Sequence, residues 1–145
     1  MGPMIRALLV SLLASPAFAG TWDPLTSTNW EEAQRAGGVV LIEFSAAGCK
    51  ICGVQKGVLK RLLADDPDLA VTGLQVSLGA DPDLEKRFIV KTPGTILLLR
   101  GGRELARAVG TCSEDELRNF IQQAFILKRW GAPKGRPSNR IPQAP

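Results

Sequence analysis

The sequence predicts an α/β protein with a central mixed β-sheet and helices on both faces. Strand–helix–strand units in the first half of the chain imply parallel strands joined by right-handed crossovers. A late Gly101-Gly102 pair predicts a hairpin, which adds antiparallel strands. The chain has 145 residues, 45% hydrophobic and 22% charged, which fits one globular domain with its own core.

Residues 1–19 have the pattern of a secretory signal peptide. Arg6 precedes an apolar run over residues 7–14, Ser15-Pro16 ends the run, and Ala17-Phe18-Ala19 supplies the small residues of a cleavage site. A permanent transmembrane anchor would need about 20 apolar residues. We therefore expect cleavage after Ala19 and a periplasmic or otherwise exported protein, with an uncleaved N-terminal anchor as the alternative.

The first helix is expected over residues 28–35, after an N-terminal arm that contains Trp22. Thr28 and Glu31 have the spacing of a capping box, and Gly37-Gly38 would end the helix. Residues 39–44 follow as a nearly continuous apolar and β-branched run. Such a run is typical of a strand that is buried on both faces.

A second helix is expected from Cys49 to about residue 64. Basic side chains occupy one side of it, and residues 65–68 would stop it. The opposite side carries the apolar residues Val54, Val58, Leu59, Leu62 and Leu63.

Three more strands and two helices are expected beyond this helix. Asp81-Pro82 combines an N-cap with proline at the first helical position, and Ser113 and Glu116 form another capping box. The predicted elements are a strand over 69–78, a helix to 88, strands over 95–99 and 104–109, and a helix from 114 to about 130.

The chain ends in a basic segment rich in proline and glycine. Five basic residues and no acid lie in residues 128–145, whereas residues 20–127 contain 12 basic and 14 acidic residues. We expect a globular domain over 20–127 and a disordered tail after it. The tail could also contact an anionic membrane surface or an acidic partner. The domain has no basic stripe interleaved with aromatic residues, so nucleic-acid binding is not expected.

Cys49 and Cys52 form a CxxC pair where a predicted buried strand turns into a helix. At a helix N-terminus, free N–H groups and the helix dipole stabilise a thiolate, and Lys50 adds a positive charge. The second cysteine lies one turn later and can close a disulfide. We therefore expect Cys49 to attack and Cys52 to resolve the mixed disulfide.

Two other uses of the pair are a zinc site and a purely structural disulfide. Zinc takes about four ligands. The chain has no histidine and only Cys112 as a further cysteine, so one chain cannot complete a Cys/His site. A structural disulfide with this spacing closes a very small loop and restrains the unfolded chain little. We expect no metal and no cofactor other than the redox-active disulfide.

Residues 40–52, which read VLIEFSAAGCKIC, resemble the strand and active-site turn of the thioredoxin family. Residues 91–99 look like its cis-proline segment and fourth strand, and Gly101-Gly102 through Gly110 like its closing hairpin. The resemblance spans about residues 29–125. It implies the thioredoxin fold and thiol–disulfide oxidoreductase activity.

The resemblance also assigns roles to matching residues. Pro93 would be the cis-proline beside the disulfide, where it helps to keep metal away from the thiols, and the backbone of Thr92 would pair with an extended substrate. Glu43 lies where many thioredoxins have a buried aspartate. Buried there, it could exchange protons with Cys52. The alternative is that Glu43 points to solvent.

The active-site turn departs from the usual thioredoxin pattern. Gly48 precedes the first cysteine in place of tryptophan, and Lys50-Ile51 replaces Gly-Pro. The pattern is more similar to specialised extracytoplasmic members. Since the residues between the cysteines help to set the reduction potential, the turn leaves the direction of electron flow open. We expect reduction of protein disulfides with electrons from a membrane disulfide reductase, although the same chemistry could run as oxidation or isomerisation. We also expect a monomer. A binding or assembly module with an incidental disulfide is the alternative from another class.

Cys112 is the third cysteine, and two interpretations of it remain open. It could be a small apolar residue under the last helix. Because a lone thiol is unusual in an oxidising compartment, it could instead form a mixed disulfide with a partner or with Cys49.

Overall fold

The computed structural model describes residues 20–66 and 69–130. Its elements, in chain order, are β1 (Thr21–Pro24), α1 (Ser27–Ala36), β2 (Val39–Ser45), α2 (Lys50–Asp65), β3 (Val71–Ser77), α3 (Pro82–Phe88), β4 (Thr95–Arg100), β5 (Arg103–Val109) and α4 (Glu114–Trp130). The predicted signal peptide lies outside the described residues. Of the predicted tail over 128–145, residues 128–130 belong to α4, and the remainder lies outside the described residues.

The strands form one mixed sheet in the order β1-β3-β2-β4-β5. β1 and β2 run parallel to β3, whereas β4 is antiparallel to both β2 and β5. β2 therefore lies at the centre of the sheet, and its residues from Val39 to Phe44 are all buried. The predicted fold class is confirmed, and the CxxC pair follows the carboxyl end of this central strand.

Side chains of β2 alternate between two apolar layers. Val39 and Leu41 pack with buried residues of α2 and α4, such as Leu59 and Ile121. On the opposite face, the layer that includes Phe44 packs with α1 and α3. This explains why β2 reads as a continuous apolar run, because both faces of the strand are covered by helices.

The caps of α1 differ in part from the prediction. Thr26 is the N-cap: its hydroxyl accepts a bond from the Asn29 N–H at 3.2 Å, and the Asn29 side chain accepts from the Thr26 N–H at 2.8 Å. The predicted Thr28–Glu31 box is therefore wrong, because the neighbouring Thr26–Asn29 pair satisfies both exposed donors two residues earlier. The predicted C-cap, Gly37, is confirmed and has a φ of 67°.

β1 lies in the N-terminal arm that contains Trp22, where no strand was predicted. It was missed because it is only four residues long and mostly exposed. Trp22 lies opposite Gly73 of β3. A Cβ atom on Gly73 would come within 2.6 Å of the Trp22 ring and 2.9 Å of Leu63. The missing side chain of Gly73 thus lets the tryptophan and α2 close over the sheet.

Substituting Gly73 with alanine is expected to destabilise the domain by about 1 to 3 kcal/mol, because the added methyl group overpacks this contact. Urea unfolding followed by fluorescence measures the change. Gly57→Ala is the matched control, because its Cβ would meet nothing within 4 Å. Gly57 lies within α2, so this change is expected to stabilise by about 0.5 to 1 kcal/mol. Equal stability of the two variants would contradict the contact described for Gly73.

Candidate redox site

Cys49 and Cys52 are joined by a disulfide at the start of α2. Their sulfurs lie 2.04 Å apart and their Cα atoms 5.3 Å apart. Cys49 is the N-cap of the helix, and its Sγ accepts a hydrogen bond from the Cys52 N–H at 3.2 Å. The helix N-terminus therefore places a backbone donor on the Cys49 sulfur, which would stabilise a thiolate there after reduction.

The two sulfurs differ in access to solvent. Cys52 is buried, with 4% of its surface exposed, whereas Cys49 is only partly buried. An incoming protein thiol or disulfide can therefore reach Cys49 much more easily than Cys52. Lys50 lies between them with an exposed side chain, so water screens its effect on the thiolate.

Glu43 lies in β2 with no exposed surface. It alternates with Val39 and Leu41, so its side chain faces the layer of α2, on the same side as the buried Cys52. The Gln75 side chain donates a hydrogen bond to Glu43 Oε2 at 2.7 Å, while Oε1 has no partner among the described residues. The expected burial of Glu43 is therefore observed.

Burial raises the pKa of Glu43 above its ordinary value, because a carboxylate loses its hydration inside the protein. The hydrogen bond from Gln75 and the charge of Lys56 oppose this rise in pKa and do not cancel it. Glu43 can therefore take up and release a proton closer to neutral pH than an exposed glutamate.

The turn before β4 differs from the expectation for Pro93. No cis peptide bond occurs in the described residues, so the predicted cis bond before Pro93 is wrong. The chain instead turns at Gly94, which has a φ of 78° and donates its N–H to the Phe44 carbonyl at 2.7 Å. Since glycine adopts a positive φ without steric cost, the turn needs no cis bond, and the trans isomer is favoured by about 0.5 to 1 kcal/mol.

Thr92 and Pro93 are both exposed, while Gly94 is buried against α2. A Cβ on Gly94 would lie 3.5 Å from the Ile51 side chain. The Thr92 carbonyl accepts one hydrogen bond, from the Thr95 hydroxyl at 2.6 Å. Residues 92–94 therefore lie beside α2, and Gly94 is the residue that comes closest to the helix. Thr92 and Pro93 remain exposed, where an extended substrate could contact them.

Gln55 is a buried polar residue on α2, one turn after Cys52. Its Nε2 donates to the carbonyls of Gly94 at 3.0 Å and Thr111 at 2.8 Å, while its Oε1 has no partner among the described residues. Two hydrogen bonds of about 0.5 to 1.5 kcal/mol each are offset by an unpaired acceptor that costs about 1 to 3 kcal/mol. The net effect of this amide on stability is therefore small.

Three large apolar side chains on α2 and at the end of β5 are exposed to solvent. Ile51 is 45% exposed, Val54 is 50% exposed, and Val109, which precedes Gly110 at the end of β5, is 48% exposed. Val54 was expected in the buried face of the helix and is instead half exposed, because α2 turns Gln55 inward. Ile51, Val54 and Val109 thus present apolar surface to solvent on α2 and at the end of β5.

Cys112 lies in the segment between β5 and α4 and forms no disulfide. It is partly buried, so it is neither a fully enclosed filler nor bonded to Cys49. Within the described ranges, no cluster of three or more Cys, Asp or Glu residues could hold a metal ion. No helix in these ranges is long and apolar enough to span a membrane.

Comparison with known proteins agrees with this geometry. The family model "Thioredoxin" matches residues 22–123. The chain belongs to the thioredoxin family. Thioredoxin of Chlamydia trachomatis is 34% identical over 88 residues, which cover 61% of this chain and 84% of that protein. Thioredoxin H2-1 of Oryza sativa is 31% identical over 100 residues, which cover 69% of this chain and 67% of that protein.

Solved structures show the same fold. Trxlp from Edwardsiella tarda superposes with a TM-score of 0.64 at 26% identity, over 70% of this chain and 98% of that one. A thioredoxin from Halobacterium salinarum gives a TM-score of 0.62 at 20% identity. The chain is thus a thioredoxin-family redox protein with a CxxC disulfide, and membership suggests thiol–disulfide oxidoreductase activity on protein thiols and disulfides.

Gln55 and Gly94 are the residues of this thioredoxin site that sequence reasoning missed. Gln55 lies at helical spacing from Cys52 and Leu59, so a polar residue in the buried stripe was a readable signal. Gly94 directly follows Pro93, and the Thr-Pro pair in the sequence does not show that the glycine makes the turn. The structure brings Cys49, Cys52 and Glu43 to the carboxyl end of β2, with the Gly94 turn beside them.

Proposed function

We propose that this thioredoxin-family protein is an exported, monomeric enzyme that uses its reduced Cys49–Cys52 dithiol to reduce protein disulfides. The observation that carries the proposal is the unequal exposure of the two cysteines. An accessible Cys49 at a helix N-terminus can attack a substrate, while a buried Cys52 is available only to Cys49.

The reaction begins with the reduced dithiol. The Cys49 thiolate attacks one sulfur of the substrate disulfide, so a Cys49–substrate bond forms and the other substrate sulfur leaves as a thiolate. Cys52, as a thiolate, then attacks Cys49 Sγ. This step forms the Cys49–Cys52 disulfide and releases the second substrate thiolate. Two electrons pass to the substrate, and the disulfide seen here is the oxidised product.

Glu43 serves the second step as a proton acceptor. The Cys52 thiol must lose its proton before it can attack, and it is shielded from water. A carboxylate with a raised pKa on the same side of the sheet is a stronger base than an exposed one. The apolar surface of Ile51, Val54 and Val109 supports docking of a substrate polypeptide beside Cys49.

The export proposal rests on the signal-like sequence of residues 1–19. In such a compartment the Cys49–Cys52 disulfide needs a donor of two electrons after every turnover. A membrane disulfide reductase is the class of partner we propose for this step.

The reduction potential of the Cys49–Cys52 pair tests the direction of electron flow. Equilibration with glutathione buffers, followed by mass spectrometry after alkylation, is expected to give a value below about −200 mV, in the range of reducing thioredoxin-fold proteins. Insulin reduction in the presence of dithiothreitol is expected to accelerate as well. A potential near −120 mV, typical of a strong oxidant, would overturn the reductant proposal.

A further inference from the structure

We propose that Gln55 is a positioning residue that fixes the substrate-binding rim relative to Cys49. The rim is defined here as the turn of residues 92–94 together with Gly110 and Thr111. The inference rests on the proposed function, because it concerns how that site recognises protein disulfides.

One side-chain amide joins three segments around the disulfide. Gln55 lies on α2, whose N-cap is Cys49, and its Nε2 donates to Gly94 in the first part of the rim and to Thr111 in the second. The Gly110 N–H also donates to the Gly94 carbonyl, at 3.0 Å. Both acceptor positions of that carbonyl are therefore used, and the two parts of the rim are tied to each other and to α2.

The contacts allow only one orientation of the Gln55 amide. A flipped amide would place Oε1 against two carbonyl oxygens, so the nitrogen must face them. The oxygen is then left buried without a partner among the described residues. A methionine would fill similar space with no unpaired oxygen. The amide is thus better suited to fixing geometry than to filling the core.

The consequence is a fixed distance between the attacking sulfur and the rim. A polypeptide that lies across the exposed Thr92 and Pro93 must present its disulfide to Cys49 at the same time. When the rim moves, the polypeptide loses this alignment. A small disulfide needs to contact only the Cys49 sulfur, so its rate of reduction should not depend on the position of the rim.

The test compares two substrates in the full mature protein carrying Gln55→Met. With insulin as the protein disulfide, KM is expected to rise about tenfold while kcat stays within about twofold, because a mobile rim weakens binding in the aligned position and the thiols are unchanged. With 5,5′-dithiobis(2-nitrobenzoate) as the small disulfide, the rate is expected to match the unmodified protein. The reduction potential is expected to stay unchanged.

Gln34→Met is the matched control. The Gln34 amide nitrogen is buried without a partner among the described residues, and Gln34 lies near the end of α1, before β2 begins. Both kinetic constants should match those of the unmodified protein. A second variant, Gln55→Glu, keeps the side-chain shape but places a carboxylate against two carbonyls at pH 8. Its KM for insulin should fall toward the unmodified value at lower pH, where the protonated acid can donate one hydrogen bond.

The possible results separate the proposed function from the role of Gln55. An unmodified protein that reduces neither substrate contradicts the proposed function. An active protein whose Gln55→Met variant keeps its KM for insulin overturns only the role of Gln55. Equal losses with both substrates, or failure of both Gln55 variants to fold, would assign the residue to general stability and also overturn the inference.

Discussion

Replacing Cys49 with serine is expected to reduce turnover of insulin disulfides to the level without protein. A serine hydroxyl is not ionised at neutral pH and cannot form the mixed disulfide. Cys52→Ser is expected to stop turnover at a different point. Its Cys49 can still attack, but nothing resolves the product, so the substrate stays covalently attached. Non-reducing electrophoresis and mass spectrometry should show this adduct with Cys52→Ser and not with Cys49→Ser.

Cys112→Ser is the control for this pair of variants, because Cys112 is partly buried and forms no disulfide. It is expected to keep full activity and to trap no substrate. If Cys49→Ser retained insulin reduction, the enzymatic proposal would be wrong and the alternative of a binding module with an incidental disulfide would be favoured. If the adduct formed by Cys52→Ser disappeared when Cys112→Ser was combined with it, the attacking thiol would instead lie at residue 112.

The central strands and long helices could be predicted from sequence because each is long enough to show a pattern. β2 reads as a strand covered on both faces, and α2 and α4 show helical spacing over four turns or more. β1 could not be predicted in this way. Its four residues show no alternation, and the contact that holds Trp22 over Gly73 depends on a residue 51 positions away.

The redox pair could be predicted because Cys49 and Cys52 are close in sequence and their chemistry is specific. The supporting residues depend on contacts between distant segments. The tie from Gln55 to Thr111 spans 56 positions, and Gly94 bonds to the end of β2. The error at Pro93 has the same origin, because the Thr-Pro pair does not reveal that the next residue makes the turn.

Glu43→Gln is expected to slow insulin reduction while it stabilises the fold. The glutamine cannot accept the Cys52 proton, so kcat should fall about 10- to 100-fold. This loss lies at or below the lower end of the range for general acid–base catalysis, since water can still accept the proton slowly. The variant should also lose the rise of kcat with pH that accompanies ionisation of Glu43. Stopped-flow measurement of mixed-disulfide resolution tests both the lower rate and the lost pH dependence. The range from pH 5 to pH 9 covers about two pH units on either side of neutrality.

The stability change follows from the raised pKa of Glu43. The folded protein binds the Glu43 proton more tightly than the unfolded chain does. Protonation of Glu43 therefore contributes fully to the free energy of unfolding below the ordinary pKa of 4.5, and this contribution is lost as pH rises through the raised pKa. A glutamine at position 43 is neutral at every pH, so the variant does not lose stability in this way as pH rises. Glu43→Gln should therefore be about 1 to 3 kcal/mol more stable than the unmodified protein at alkaline pH.

The difference in stability should shrink toward zero near pH 4, where Glu43 is itself neutral. Urea unfolding across the pH range measures it, with the exposed Glu31→Gln as the control that should show no comparable gain. A stability difference that stays constant with pH would mean that the gain comes from repacking against Gln75. If resolution is slower and the gain in stability depends on pH, both effects must come from the Glu43 carboxyl. It accepts the proton from Cys52, and its buried ionised form destabilises the fold.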